Sequence, residues 1–91
     1  MSDILHLPER LDFDAARTLH GQLMALRGRP VSIDGSAVRT GGTLAAQILL
    51  AAARDWRAAG QTFTFAPSVA LQDDLEQLGV LSEIAQEEAT A

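Results

Sequence analysis

Hydrophobic and polar residues alternate along the chain in segments that fit strands and helices in turn. Residues 4–7 form a short apolar segment that Pro8 closes, which predicts an edge strand, since proline cannot donate a ladder hydrogen bond. Residues 31–34 and 62–65 alternate apolar and polar side chains with the period of two that is typical of strands. The segments between these strands are long enough to hold helices.

The segment after the first strand has helical spacing. Its apolar face consists of Ala16, Leu19, Leu23 and Leu26. Asp12 or Asp14 can cap the helix, because a carboxylate accepts hydrogen bonds from the free N–H groups of the first turn. Gly28 ends the helix, and Pro30 prevents it from resuming.

The longest predicted helix spans residues 43–59, and Gly60 ends it. On a helical wheel, the apolar side consists of Ala45, Ile48, Leu49, Ala52, Trp56 and Ala59. The opposite side holds Gln47, Arg54 and Arg57. Leu50 falls among these polar residues, so we expect its side chain to be exposed. It is either one scattered exposed leucine or the apolar centre of a contact patch rimmed by arginine.

A third helix begins after Ser68, which is a suitable N-cap. Its leucine stripe is Leu71, Leu75 and Leu78. Gly79 is placed to end the helix, and residues 80–85 fit a short strand or a short helix. Residues 86–91 form an acidic, alanine-rich tail that we expect to fray. Strands joined through helices predict an α/β fold with a small, mostly parallel sheet of about four strands and three to four helices, mainly on one face.

The composition narrows the class of protein. The 91 residues fit a single domain spanning 1–91, and 47% of them are hydrophobic, which can support a core. Seven basic residues, all arginine, stand against twelve acidic ones, so the net charge of −5 argues against general nucleic-acid binding. Without cysteine there is no disulfide and no thiolate zinc site. The longest apolar run, residues 48–53, is far too short to span a bilayer, so we expect a cytoplasmic protein without membrane insertion.

Few residues suggest catalysis. His6 and His20 are separated by a spacing that fits no common metal-ligand motif. The acidic run at residues 73–76 is most simply the solvated face of the third helix. We therefore expect no catalytic residue, no metal and no cofactor. Gly41 and Gly42 lack the lysine of a phosphate-binding loop, yet a glycine pair before a helix leaves backbone N–H groups accessible.

The chain resembles a STAS domain, the module shared by sulfate transporters and bacterial anti-sigma factor antagonists. The landmarks that carry the resemblance are Leu11-Asp12 before the first helix, residues 31–38 as strand and turn, residues 58–61 at the end of the second helix, and Pro67, Leu75, Leu78, Gly79 and Val80 around the third. The family places a phosphate-accepting Ser or Thr at the start of the second helix. Counting without gaps from Asp34, and back from Gly60, puts Thr43 at that position, whereas matching by eye puts Thr40 there.

The resemblance implies a non-enzymatic interaction module of bacterial signalling that binds a kinase-type partner. The motif is incomplete, since Gly42 stands in place of its acid and Ala45 in place of its glycine. We expect the partner to contact the loop before the second helix and that helix itself, through Arg39, Gly41, Gly42, Gln47, Leu50 and Arg54. The alternatives are a chemotaxis-cluster protein and an accessory cytoplasmic subunit of a lipid-transport ABC complex. The sequence leaves the oligomeric state open.

Overall fold

The computed structural model describes residues 3–85, which form three strands and four helices in alternation. In chain order they are β1 (Asp3–His6), α1 (Phe13–Ala25), β2 (Val31–Gly35), α2 (Thr43–Ala58), β3 (Phe63–Pro67), α3 (Val69–Gln77) and α4 (Leu81–Ile84). Residues 80–85 thus contribute a helix. The predicted tail, residues 86–91, lies outside the described residues.

The three strands form one sheet in the order β1-β2-β3, and both pairings are parallel. Val31 pairs with Asp3 on one side and with Phe63 on the other. The predicted small α/β fold is confirmed, although residues 3–85 contain three strands where the sequence suggested about four. The difference arises because the one segment left open between strand and helix folds as α4, which places Ile84 in the core.

The predicted helix caps are present. Asp12 accepts a hydrogen bond from the Ala15 N–H at 3.0 Å, and Ser68 accepts one from the Leu71 N–H at the same distance. Gly60 and Gly79 follow the ends of α2 and α3 with φ of 74° and 76°, a conformation that side chains with a Cβ rarely adopt. Short-range chemistry therefore sets where these helices begin and end.

The helices cover one face of the sheet. Along β2, Val31, Ile33 and Gly35 are buried, while the alternating residues Ser32 and Asp34 are only half-buried. Crossovers between parallel strands are almost always right-handed, and two of them in the same direction place both helices on one side of the sheet, which accounts for this alternation. The helix-facing side holds the core, and no helix among residues 3–85 covers the opposite side.

The side chain of Trp56 joins α2 to β3 and to the residues just before β2. Its ring is buried and meets Phe63 edge-on at 6.3 Å between ring centroids. The indole N–H donates to the Arg29 carbonyl at 2.6 Å, so the polar end of the buried ring is satisfied. The contact ties α2 to the start of β2. None of the helices in the described part of the chain is long and apolar enough to cross a membrane.

Candidate interaction site around the start of helix α2

The candidate site lies where the parallel strands end. The loop after β2 leads into α2, and β3 leads directly into α3 through Ser68. Loops at the carboxyl ends of parallel strands share one edge of the sheet, which is where α/β folds commonly place their sites. Ser68 joins the two segments, because its hydroxyl donates to the Val38 carbonyl at 2.6 Å and its N–H donates to the Gly35 carbonyl at 3.0 Å.

The loop before α2 is fixed on one side by the segment that precedes α1. The N–H groups of Arg39 and Thr40 both donate to the Glu9 carbonyl, at 2.7 and 3.1 Å. The Leu11 N–H donates to the Thr40 carbonyl at 2.9 Å, and Arg10 forms an isolated parallel bridge with Thr40. The backbone of Thr40 is thus paired, while its side chain is exposed.

Asp74 of α3 holds the same loop from the other side. The Gly41 N–H donates to Asp74 Oδ2 at 3.2 Å. A Cβ at Gly41 would lie 3.3 Å from this oxygen and 3.3 Å from a Leu71 methyl carbon, so a larger residue would press on both. The solvated acidic face predicted for α3 is correct for Asp73 and Glu76, which are exposed, but wrong for Asp74, which is half-buried because it turns towards the loop.

Thr43 is the first residue of α2, and the N-cap is Gly42, which has no side chain to cap with. The helix therefore begins at Thr43, as its apolar pattern predicts, and Thr43 does not cap it. Its side chain is exposed, and its hydroxyl makes no hydrogen bond to any other described residue. Thr43 lines a shallow cleft between the start of α2 and α3, together with Leu75 and Leu78, and Leu78 is 46% exposed.

The two flanks of α2 differ. We call the flank that carries Leu50, Arg54 and Arg57 the closed flank, because α4 packs along it. Arg54 forms a bidentate ion pair with Glu83, with Nε and Nη2 donating at 2.9 and 3.0 Å. The guanidinium of Arg57 donates to the Glu83 and Ile84 carbonyls, at 2.9 Å for Ile84, so it satisfies the end of α4.

This arrangement corrects the predicted exposure of Leu50, which is half-buried against the core rather than exposed. Ile48, expected in the core, is also half-buried, and Ala59 is exposed because it lies past the end of α2. The ion pair lowers the pKa of Glu83 and raises the pKa of Arg54, chiefly through the hydrogen bonds between the two side chains. Arg54 is thus engaged within the chain.

The other flank of α2 faces α1 and is open. We call it the open flank; it consists of Leu44, Ile48, Ala51 and Asp55. Leu44 is 42% exposed, and Gln47 beside it is exposed, as predicted. Leu44 follows Thr43 in the chain and Leu78 lines the cleft with it, and both are exposed. The exposure of Leu78 was not expected, since it belongs to the leucine stripe predicted for α3.

A second polar cluster lies on the open face of the sheet. His6 Nδ1 is 3.0 Å from Asp34 Oδ2, and Ser36 donates to Asp34 Oδ1 through its hydroxyl at 2.7 Å and its N–H at 3.0 Å. The two hydrogen bonds from Ser36, followed by those of His6, lower the pKa of Asp34. Nucleophilic catalysis by Ser36 would need His6 to accept the proton of the Ser36 hydroxyl. That hydroxyl donates to Asp34 instead, so the imidazole of His6 is not placed to act as its base. No group of three metal-binding side chains occurs within residues 3–85.

Five of the residues that the sequence singled out for this site, Arg39, Thr40, Gly41, Gly42 and Thr43, lie together in the loop and the first turn of α2. Gln47 lines the groove between α1 and α2, whereas Leu50 and Arg54 lie about two and three turns beyond Thr43 on the closed flank. The sequence analysis did not include Asp74 in the site. An acidic residue on the polar side of a helix gives no indication in the sequence of which loop its side chain contacts.

Comparison with known proteins gives no further assignment, since the chain matches no family model, no curated protein and no solved structure. The resemblance to STAS domains therefore rests on the residues quoted for it and stays a prediction.

Proposed function

We propose that this protein is a STAS-like, non-enzymatic interaction module of cytoplasmic bacterial signalling, which binds a kinase-type partner through the start of α2. The observation that carries the proposal is the exposed, unbonded hydroxyl of Thr43 at the first position of α2. The exposed Leu78 lies across the cleft from it and supplies apolar contact area. A hydroxyl beside an apolar patch suits a protein contact that a modification can switch.

Phosphorylation of Thr43 would change this surface in two opposing ways. The first turn of a helix favours an anion, because its N–H groups and its dipole are positive there. Asp74, however, already places a carboxylate on the loop at Gly41. A phosphate would add roughly −1.5 to −2 charges at pH 7. The added charge and bulk would disrupt a partner packed against the cleft.

The test is to incubate the full chain with the purified kinase-type partner and ATP, and to map the modified residue by mass spectrometry. We expect phosphate on Thr43, loss of the signal in Thr43→Ala, and an unchanged signal in Thr40→Ala, whose hydroxyl lies in the same loop. Thr43→Glu should weaken the complex. Label on another residue, or label that persists in Thr43→Ala, would show that the phosphoacceptor is wrongly assigned.

The position of Asp74 favours a second candidate, an accessory subunit of a transport or chemotaxis assembly in which Thr43 is an unmodified contact. A carboxylate that already occupies the loop N–H at 3.2 Å reduces the attraction for another anion. In that case Thr43→Val, which keeps the shape but not the hydroxyl, should bind the partner as the native chain does, and no phosphate should be found. Genes for a permease and an ATPase beside this one would support the same alternative.

A further inference from the structure

An apolar groove runs between α1 and α2, on the open flank and apart from the Thr43 cleft. Its main section encloses about 200 Å³ and is floored by Leu23, Ile48 and Ala52. A second hollow, lined by Arg27 and Gln61, shares Asp55 and Trp56 with the first and extends the groove towards the end of α2. The two together extend along the open flank of α2 from Leu44 to beyond the end of α1.

The rims of this groove carry exposed apolar side chains. Met24 of α1 is 41% exposed and Leu44 of α2 is 42% exposed, and both line the main section. Phe13 lies on the same stripe of α1 as Met24, since the two are eleven residues apart, close to three helical turns, and it is also exposed. Exposed apolar residues on both sides of an apolar groove are typical of a docking surface for a helix.

The charge of the groove contrasts with that of the whole chain. Arg17 lies on the groove side of α1 by helical spacing, and Arg27, just past the end of α1, lines the second hollow. His20 lines the main section. Asp55 is the acidic residue in the lining. Arg17 rests on the Phe13 ring at 5.9 Å, and within residues 3–85 neither Arg17 nor Arg27 forms an ion pair. A chain of net charge −5 thus presents a net basic rim here.

From these features we infer that the groove between α1 and α2 binds an acidic amphipathic helix of a protein partner. The apolar side of that helix would lie on Met24, Leu44 and Ile48, and its carboxylates would meet Arg17 and Arg27. The closed flank gives a precedent within the chain, because α4 packs there with Ile84 buried and Glu83 paired to Arg54. The inference goes beyond the proposed function, since the Thr43 cleft is formed by α2 and α3.

The test uses two synthetic peptides of about four helical turns, roughly 15 residues, with leucine at i, i+4, i+7 and i+11. One carries glutamate at its other exposed positions and the second carries lysine. Binding of each labelled peptide to the full chain is measured by fluorescence anisotropy. We expect the acidic peptide to bind at least about tenfold more tightly than the basic one at about 0.15 M salt, which screens the net charge of −5 at long range more than the close contacts at the rim.

Matched variants locate the binding site. The double change Arg17→Glu and Arg27→Glu should reverse the preference between the peptides, and Met24→Glu should weaken both. Val69→Glu, at an exposed apolar residue on α3, should change neither, and thermal unfolding of each variant checks that it folds. Equal affinity for the two peptides, or a preference that survives the double change, would overturn the inference. So would sedimentation showing that the native chain self-associates and that Met24→Glu abolishes this, since the occupant would then be a second copy.

Discussion

Both flanks of α2 carry an apolar residue near the surface, but within the described part of the chain only the closed flank is covered by another helix. The closed flank carries Leu50 between polar residues, and α4 covers it, so its arginines bond within the chain. The open flank carries Leu44 and Ile48, and among residues 3–85 the groove that it forms with α1 is left unfilled. A leucine that a helical wheel places among arginines therefore does not indicate a partner-binding surface until the helices packed beside it are known.

The largest expected change in stability comes from replacing Ile84, the buried residue through which α4 packs on the closed flank. Ile84→Ala should lower the free energy of unfolding by about 2–5 kcal/mol, because Ile84 has no exposed surface and its loss leaves a cavity under α4. Leu44→Ala on the open flank should cost no more than about 1 kcal/mol, as exposed substitutions do. Urea unfolding monitored by circular dichroism gives both values. Equal costs would mean that the flanks do not differ as described.

A matched pair of charge substitutions sharpens the comparison. Leu50→Asp should lower the free energy of unfolding by about 1–3 kcal/mol, because it puts a carboxylate into a half-buried apolar position. Leu44→Asp should leave it within about 0.5 kcal/mol, since the side chain is exposed and an acid near a helix start is favourable. Thermal melts at neutral pH measure both. If Leu50→Asp were as stable as the native chain, α4 would not close this flank.

The smallest expected effect is the pH dependence of the closed flank. Because Arg54 lowers the folded-state pKa of Glu83 below its ordinary 4.5, the pair stabilises the fold above that pH and ceases to do so as the pH falls through the folded value. Glu83→Gln should therefore lose less stability than the native chain between about pH 6 and about pH 3.

The measurement is the midpoint of thermal unfolding at several pH values, with Glu76→Gln on the exposed side of α3 as the control. The control should follow the native chain, since Glu76 has no ion pair among the described residues. Parallel curves for Glu83→Gln and the native chain would show that the Arg54–Glu83 pair contributes nothing in solution.

The order of strands and helices could be predicted from sequence because local signals determine it. Asp12 and Ser68 cap helices, Gly60 and Gly79 follow helix ends, and apolar periodicity separates strands from helices. Whether residues 80–85 form a strand or a helix could not be predicted. So short a segment is stabilised by burying Ile84 rather than by its own helix propensity.

The candidate site was predicted in part. The loop and the start of α2 at Thr43 follow from the strand-glycine-helix pattern. The exposure of Leu50 was predicted wrongly, because a helical wheel gives angles within one helix and says nothing of α4, which lies 23 or more residues further along the chain. Asp74 was missed for the same reason.

The sheet order has a consequence for how the chain folds. Each strand pairs with the next one in sequence, and the paired residues are 28 apart between β1 and β2 and 32 apart between β2 and β3. Loop-closure entropy grows only with the logarithm of length, so the two closures differ by about 0.1 kcal/mol. Chain length therefore gives neither half of the sheet an advantage in forming first around the shared strand β2.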